Sequence, residues 1–105
     1  MLFGLGKPDP REGYETLRLN RILQAAQKTR VHGAAAPDIC YVACGRADGY
    51  IDEGVFLWDY AAAGLIATRA GARFDILRDY PDGRQQCLVT NGHIHRELRD
   101  LCIPA

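Results

Sequence analysis

Neither charge sign dominates this 105-residue chain: Lys plus Arg and Asp plus Glu number 13 each. That balance removes the electrostatic reason to expect a nucleic-acid or anionic-membrane partner. No apolar run approaches the roughly 20 residues needed to cross a bilayer. Met1-Leu2-Phe3-Gly4-Leu5-Gly6 lacks the cationic start and the length of a signal peptide, so the expected compartment is cytoplasmic. The cysteines, Cys40, Cys44, Cys87 and Cys102, include no Cys-x-x-Cys pair. Cys40 and Cys44 stand four apart on one predicted helix face, but no second ligand pair lies near them, and reduced core thiols are expected. Repeats and low-complexity tracts are absent too. What is present is an ordinary globular composition, 48% apolar and 25% charged. It suits a folded chain rather than a disordered one, and residues 1–105 are read as a single domain.

The patterning places the elements. Residues 1–6 suggest a short strand, and Lys7-Pro8-Asp9-Pro10-Arg11-Glu12-Gly13 a turn-rich connector. Leu17, Leu19, Ile22, Leu23, Ala25 and Ala26 recur with helical period, which predicts an amphipathic helix over Tyr14 to Lys28. Thr29 to His32 reads as a brief strand. A second helix is predicted from Ala35 to Cys44, with Pro37 and Asp38 suited to its first turn and Gly45 closing it in the left-handed conformation. Tyr50 and Ile51 favour a strand that Gly54 should break. Asp59 stands where an N-cap is expected, and Gly71 where that helix should stop. The segment from Asp59 to Ala70 is nearly all small or apolar, which predicts a helix buried on most sides. A strand over Ala72 to Leu77, a turn at Tyr80-Pro81-Asp82-Gly83, a strand over Cys87 to Thr90 and a helix from His93 to Leu101 complete the chain. Strands mixed with helices in this order predict a layered α/β domain.

Asp59 is the foremost candidate for chemistry. A carboxylate at the rim of a buried helix, near the positive end of the helix dipole, is placed to stay ionised. Its bland alternative is a helix cap and nothing more. Asp48 reads as a turn residue bonding nearby amides. Trp58 and Tyr60 read as packing residues. His93 and His95 would point about 200° apart on a helix, which is poor for chelating one ion, so a solvated face is expected there; His32 is read as structural.

The run Gly33-Ala34-Ala35-Ala36-Pro37-Asp38-Ile39-Cys40-Tyr41-Val42-Ala43-Cys44-Gly45-Arg46-Ala47-Asp48-Gly49-Tyr50, followed by Asp52, Gly54 and Trp58-Asp59, resembles the C-terminal half of the inositol monophosphatase family. These are magnesium-dependent phosphomonoesterases, and the resemblance covers roughly residues 30 to 95. It implies a layered α/β/α domain with a small mixed sheet, partial relative to the full family fold. It also implies that Asp59 is an inherited ligand for Mg2+, a hard cation that takes carboxylate and water oxygens. Asp52 matches a position, usually Glu in the family, that hydrogen-bonds substrate hydroxyls; here it is one methylene shorter. Alternation would put Asp52 and Glu53 on opposite faces. Gly33-Ala34-Ala35 matches a Gly-Ser/Thr-Ala turn that approaches the substrate by its backbone and one hydroxyl. Ala34 lacks that hydroxyl, and a plain helix-start turn is an equal reading.

The family's other carboxylates come from a Glu-Glu pair and an Asp-Pro-x-Asp-Gly-Thr motif, neither of which occurs in these 105 residues. The one Asp-Pro, Asp9-Pro10, continues as Arg11-Glu12. Two-metal hydrolysis needs several carboxylates around the ions, so no residue is assigned as catalytic and the chain is expected to be inactive alone. Three accounts follow: a shortened phosphatase, half of a split enzyme completed by a separate N-terminal half, or a non-catalytic binding or oligomerisation module. A small phosphorylated substrate is implied if the site is active. The Trp58 to Ile66 segment leans towards the inositol-monophosphatase branch.

Overall fold

Successive strand residues point to opposite faces of a sheet, and burial in this protein follows that alternation. Leu2, Tyr50, Cys87 and Val89 enter one apolar core, while Phe3, Ile51 and Leu88 enter another. The structure, a computed structural model, describes residues 1–4 and 14–102, excepting the side chains of residues 14–18 and of Glu53. The Lys7–Gly13 connector lies outside the described residues. The elements are β1 (Leu2–Gly4), α1 (Tyr14–Ala25), α2 (Ala35–Ala43), β2 (Gly49–Val55), α3 (Leu57–Arg69), β3 (Arg73–Asp79), β4 (Gln85–Thr90) and α4 (His95–Cys102).

The strands form one mixed sheet in the order β1-β2-β4-β3. β1 pairs with β2 in parallel, and β2–β4 and β3–β4 are antiparallel. Ile39 and Val42 of α2, with Tyr60, Ala63 and Ala67 of α3, join the first core on one face. Ile22 of α1, with Leu98 and Cys102 of α4, joins the second core on the other. The architecture is therefore α/β/α around a small mixed sheet, as the sequence leads one to expect.

Two helices end alike. After α2, Gly45 adopts φ +83, and the amides of Gly45 and Arg46 donate to the carbonyls of Val42 (3.2 Å) and Tyr41 (2.9 Å). After α3, Gly71 adopts φ +93, and the amides of Gly71 and Ala72 donate to Thr68 (3.1 Å) and Ala67 (2.9 Å). Each arrangement satisfies the last carbonyls with a residue that only glycine accommodates cheaply.

Several boundaries move. α1 stops at Ala25 rather than Lys28, and the expected Thr29–His32 strand is reduced to a bridge between Leu2 and Arg30. Gly54 does not end β2. The register shifts between Asp52 and Val55, so the strand bulges and resumes. α4 begins at His95, not His93. Its first residue is buried on the stripe shared with Leu98 and Cys102 instead of facing solvent. His95 bonds Thr90 Oγ1 at 2.8 Å through Nδ1 and Asp75 Oδ2 at 2.5 Å through Nε2, joining α4 to two strands. Cys87 and Cys102 are buried as expected, whereas Cys44 is exposed.

Candidate active site

The β2 bulge positions the first candidate carboxylate. Asp52 is the last regularly paired residue before the register shift. With the chain folding back at Gly54, the Gly54 amide donates to Asp52 Oδ1 at 2.9 Å. Tyr50, two residues earlier and so on the same face, donates its hydroxyl to Asp52 Oδ2. Both partners are buried. The Tyr50 hydroxyl is pushed far above its ordinary value, first by burial and then by the neighbouring Asp52 charge. It therefore stays protonated and acts as a donor. Gly4, opposite Asp52 on parallel β1, has no side chain for a reason: a Cβ there would overlap the Asp52 carboxylate.

The second carboxylate is placed by a helix start. α3 begins at Leu57, with Phe56 as its N-cap, so Asp59 is the third helical residue rather than the cap itself. Phe56 has no polar side chain with which to cap the helix. Asp59 instead reaches back, its Oδ2 accepting the Phe56 amide at 2.9 Å, while its own amide donates to the Phe56 carbonyl at 2.9 Å. This is half of a capping box, with the acidic residue doing the capping. Among the described residues, Asp59 Oδ1 makes no hydrogen bond, and the side chain is exposed.

The α2 start supplies a third wall. Gly33 turns the chain at φ +79, and Ala34 is an extended N-cap with no side-chain hydrogen bond. Behind this turn, Asp38 is fully buried and accepts from His32 Nδ1 at 2.7 Å. His32 is thus structural, holding the segment that leads into the turn.

A cleft of about 510 Å³ is lined by all five residues singled out from the sequence: Gly33, Ala34, Ala35, Asp52 and Asp59. Gly4, Gly54 and Trp58 also line it. Trp58, read from the sequence as a packing residue, is 77% exposed and lies flat on Phe56, ring centroids 4.7 Å apart. Tyr60 is packed as expected, its hydroxyl donating to Gln85 Oε1 at 2.5 Å. Sequence reasoning missed Gly4 and Tyr50. Tyr50 could have been found from its two-residue spacing to Asp52, whereas the approach of Gly4 to Asp52 is a pairing between distant strands. Asp48 is tied to Asn91, distant in sequence: its carbonyl accepts from the Asn91 backbone amide at 3.0 Å and its Oδ1 from the Asn91 side-chain amide at 3.4 Å.

Among the described residues, the cleft offers a cation one free carboxylate oxygen. Asp52 has both oxygens engaged, and no group of three or more His, Cys, Asp or Glu able to hold a metal ion occurs among the described residues. The residues present fit one ligand position of a magnesium site, not a whole site.

The chain resembles known proteins over most of its length. A match to the inositol monophosphatase family spans residues 6–101. Nus factor SuhB of Pasteurella multocida is 41% identical over 76 residues, covering 72% of this chain and 27% of the relative. The inositol-1-monophosphatase of Synechocystis is 45% identical over 76 residues, covering 69% of this chain and 26% of the relative. Among solved structures, Mycobacterium tuberculosis SuhB superposes with a TM-score of 0.80 at 32% identity, covering 95% of this chain and 39% of that one. The chain thus spans well under half the length of the relatives it matches.

Proposed function

Because the chain belongs to the inositol monophosphatase family, we propose that it contributes to magnesium-dependent hydrolysis of a small phosphomonoester of the inositol-phosphate type. In this reading residues 1–105 are a single domain equivalent to the C-terminal half of the family fold. Asp59 holds the ion, and Asp52 with the Gly33–Ala34–Ala35 turn forms the substrate wall. The observation that carries the reading is the convergence of all five residues on one cleft. They come from β2, α3 and the segment entering α2, brought together by folding.

Each residue then has a defined task. The Phe56 amide orients Asp59 through one oxygen, leaving the other for a cation. Tyr50 and Gly54 fix Asp52 with one bond to each oxygen. A carboxylate oxygen has a second lone pair, so Asp52 still accepts a substrate hydroxyl. The first amides of α2 and α3 lie beside the same cleft, where their dipoles favour an anionic ester. Magnesium, when bound, would stabilise charge on the phosphoryl oxygens.

Asp59 alone is too few carboxylates for that ion, so in this reading residues 1–105 are inactive by themselves and the remaining ligands come from polypeptide beyond them. The missing hydroxyl at Ala34 favours a second reading, a binding module that keeps the fold without the chemistry. Magnesium-dependent phosphate release from inositol 1-phosphate, with Asp59→Asn as control, separates the cases. Residues 1–105 alone should give no turnover; turnover should appear once the rest of the fold is supplied, and Asp59→Asn should abolish it. Turnover by the isolated chain would refute its inactivity, and none in the completed assembly would favour the binding module.

A further inference from the structure

A second recess, a groove of about 460 Å³, gathers positive charge on a chain whose formal net charge is zero. Lys28, Arg30 and His32 line it from the segment between α1 and the Gly33 turn, and Tyr41 and Arg46 from the end of α2. Asp48 is the opposing carboxylate. Among the described residues, this groove and the cleft share no lining residue. Among the same residues, none of Lys28, Arg30 and Arg46 is ion-paired with a carboxylate. Asp48 is instead tied to Asn91. The groove is also partly built in advance. The Arg46 guanidinium lies over the Tyr41 ring, 5.9 Å from its centroid, and the His32 ring meets that tyrosine edge-on at 5.9 Å. His32 is fixed from behind, its Nδ1 bonded at 2.7 Å to the fully buried Asp38 carboxylate. Its Nε2 makes no hydrogen bond among the described residues. Groups already held in place lose less freedom when a ligand arrives.

We propose that this groove is an anion site, separate from the cleft, for a phosphate group that is either free or carried by a small molecule. Lys28, Arg30 and Arg46 against Asp48 leave two positive charges for a ligand to neutralise. A carboxylate carries too little charge for that, whereas a phosphate group carries about −1.5 to −2 near neutral pH. Guanidinium forks match phosphoryl oxygens two at a time, and a lysine adds a compact point charge. The Tyr41 ring beside them gives an aromatic group esterified to the phosphate an apolar surface to rest on. This site stands independently of the phosphatase reading, since it draws on neither Asp52 nor Asp59.

The chain is titrated with inorganic phosphate and, separately, with phenyl phosphate, both without magnesium. Heat of binding and the NMR signals of the histidine rings and the Trp58 indole are followed. Saturable binding should shift the His32 signals and leave Trp58, which lines the cleft, unmoved. Arg30→Gln with Arg46→Gln should weaken binding by about tenfold or more, the loss of at least one charged hydrogen bond. Arg73→Gln with Arg99→Gln, an equal loss of charge in a different recess, should change it by less than about twofold. Asp48→Asn should tighten it, because the one opposing charge is gone. The His32 shift and the Asp48→Asn gain keep the test decisive even if Arg46→Gln, freed from Tyr41, disturbs the fold. Equal affinity for the two probes would identify free phosphate as the ligand, and tighter phenyl phosphate an aromatic ester. No saturable binding by either probe would overturn the proposal. So would an equal loss in both arginine pairs, which marks unspecific attraction, or a shift at Trp58 with none at His32, which places the phosphate in the cleft.

Discussion

Asp52 and Asp59 line the same cleft yet are built in opposite ways. Asp52 is buried, both its oxygens are engaged, and β1 passes so close that only glycine fits beside it. Asp59 is exposed, held by one amide, with one oxygen unengaged among the described residues. A carboxylate secured on every side serves mainly to define a shape, because moving it leaves buried donors unpaired. One tied through a single oxygen can give the other to a ligand at little cost to the fold. Two residues of the same chemistry thus divide the work, one holding the wall and one facing what enters.

That contrast can be broken from either side. The largest loss of stability should follow Asp52→Ala, which leaves the buried Tyr50 hydroxyl without its acceptor. About 2–4 kcal/mol is expected from the lost charged bond and the stranded donor, read as a fall in the urea midpoint. Gly4→Ala should come next, at about 1–3 kcal/mol, since the new methyl must displace the Asp52 carboxylate. A chain that tolerates it with unchanged melting would mean that β1 has room to move.

Alkaline titration probes the same cluster. Tyr50 keeps its proton in the folded state at pH values where an unfolded tyrosine, with a pKa of about 10, has lost it. The unfolded state then binds fewer protons. Stability is therefore intact below about pH 10 and falls as pH rises further, by up to about 1.4 kcal/mol per pH unit for this group. Tyr60, also raised chiefly by burial, adds to the decline. Tyr50→Phe should flatten the slope measured by denaturant unfolding between about pH 9 and 11, leaving only the Tyr60 part. The smallest stability change belongs to Asp59→Asn, about 0.5–1 kcal/mol, because Asn still accepts from Phe56 and only the charge at the helix start is lost. A larger drop would mean that Asp59 is structural after all.

Much of this was legible from local chemistry. Gly45 and Gly71 announce their helix ends because each directly follows an apolar periodic segment, where a left-handed residue satisfies the last carbonyls. The paired layers follow from the strand patterns, and Asp52, Asp59 and the Gly33 turn stand together as their resemblance to a known family implies. What could not be read depends on contacts distant in sequence. The start of α3 falls two residues before Asp59 because an acidic third residue can cap from inside the helix, which the residue string alone does not distinguish from an N-cap. Gly54 resembles a break but serves a bulge, since the resumed pairing is set by β4. The apolar run of α3 predicts burial without saying by whom, and among the described residues only one side is covered. His95 was legible in principle: it stands three and seven residues before Leu98 and Cys102, on the buried stripe of α4.

The pairing of β1 with β2 has a kinetic consequence. β3 and β4 are joined by the short Tyr80–Gly83 turn, where the Gly83 amide donates to the Tyr80 carbonyl at 3.0 Å. Their ends meet after closing a small loop, whereas Leu2 must find Tyr50 across the whole of α1 and α2. Closing the longer loop costs more entropy before any contact rewards it. The hairpin should therefore assemble early and β1 join late. Gly4 stands against Asp52 only once β1 is in place, so the floor of the cleft is completed near the end of folding, on a scaffold already formed.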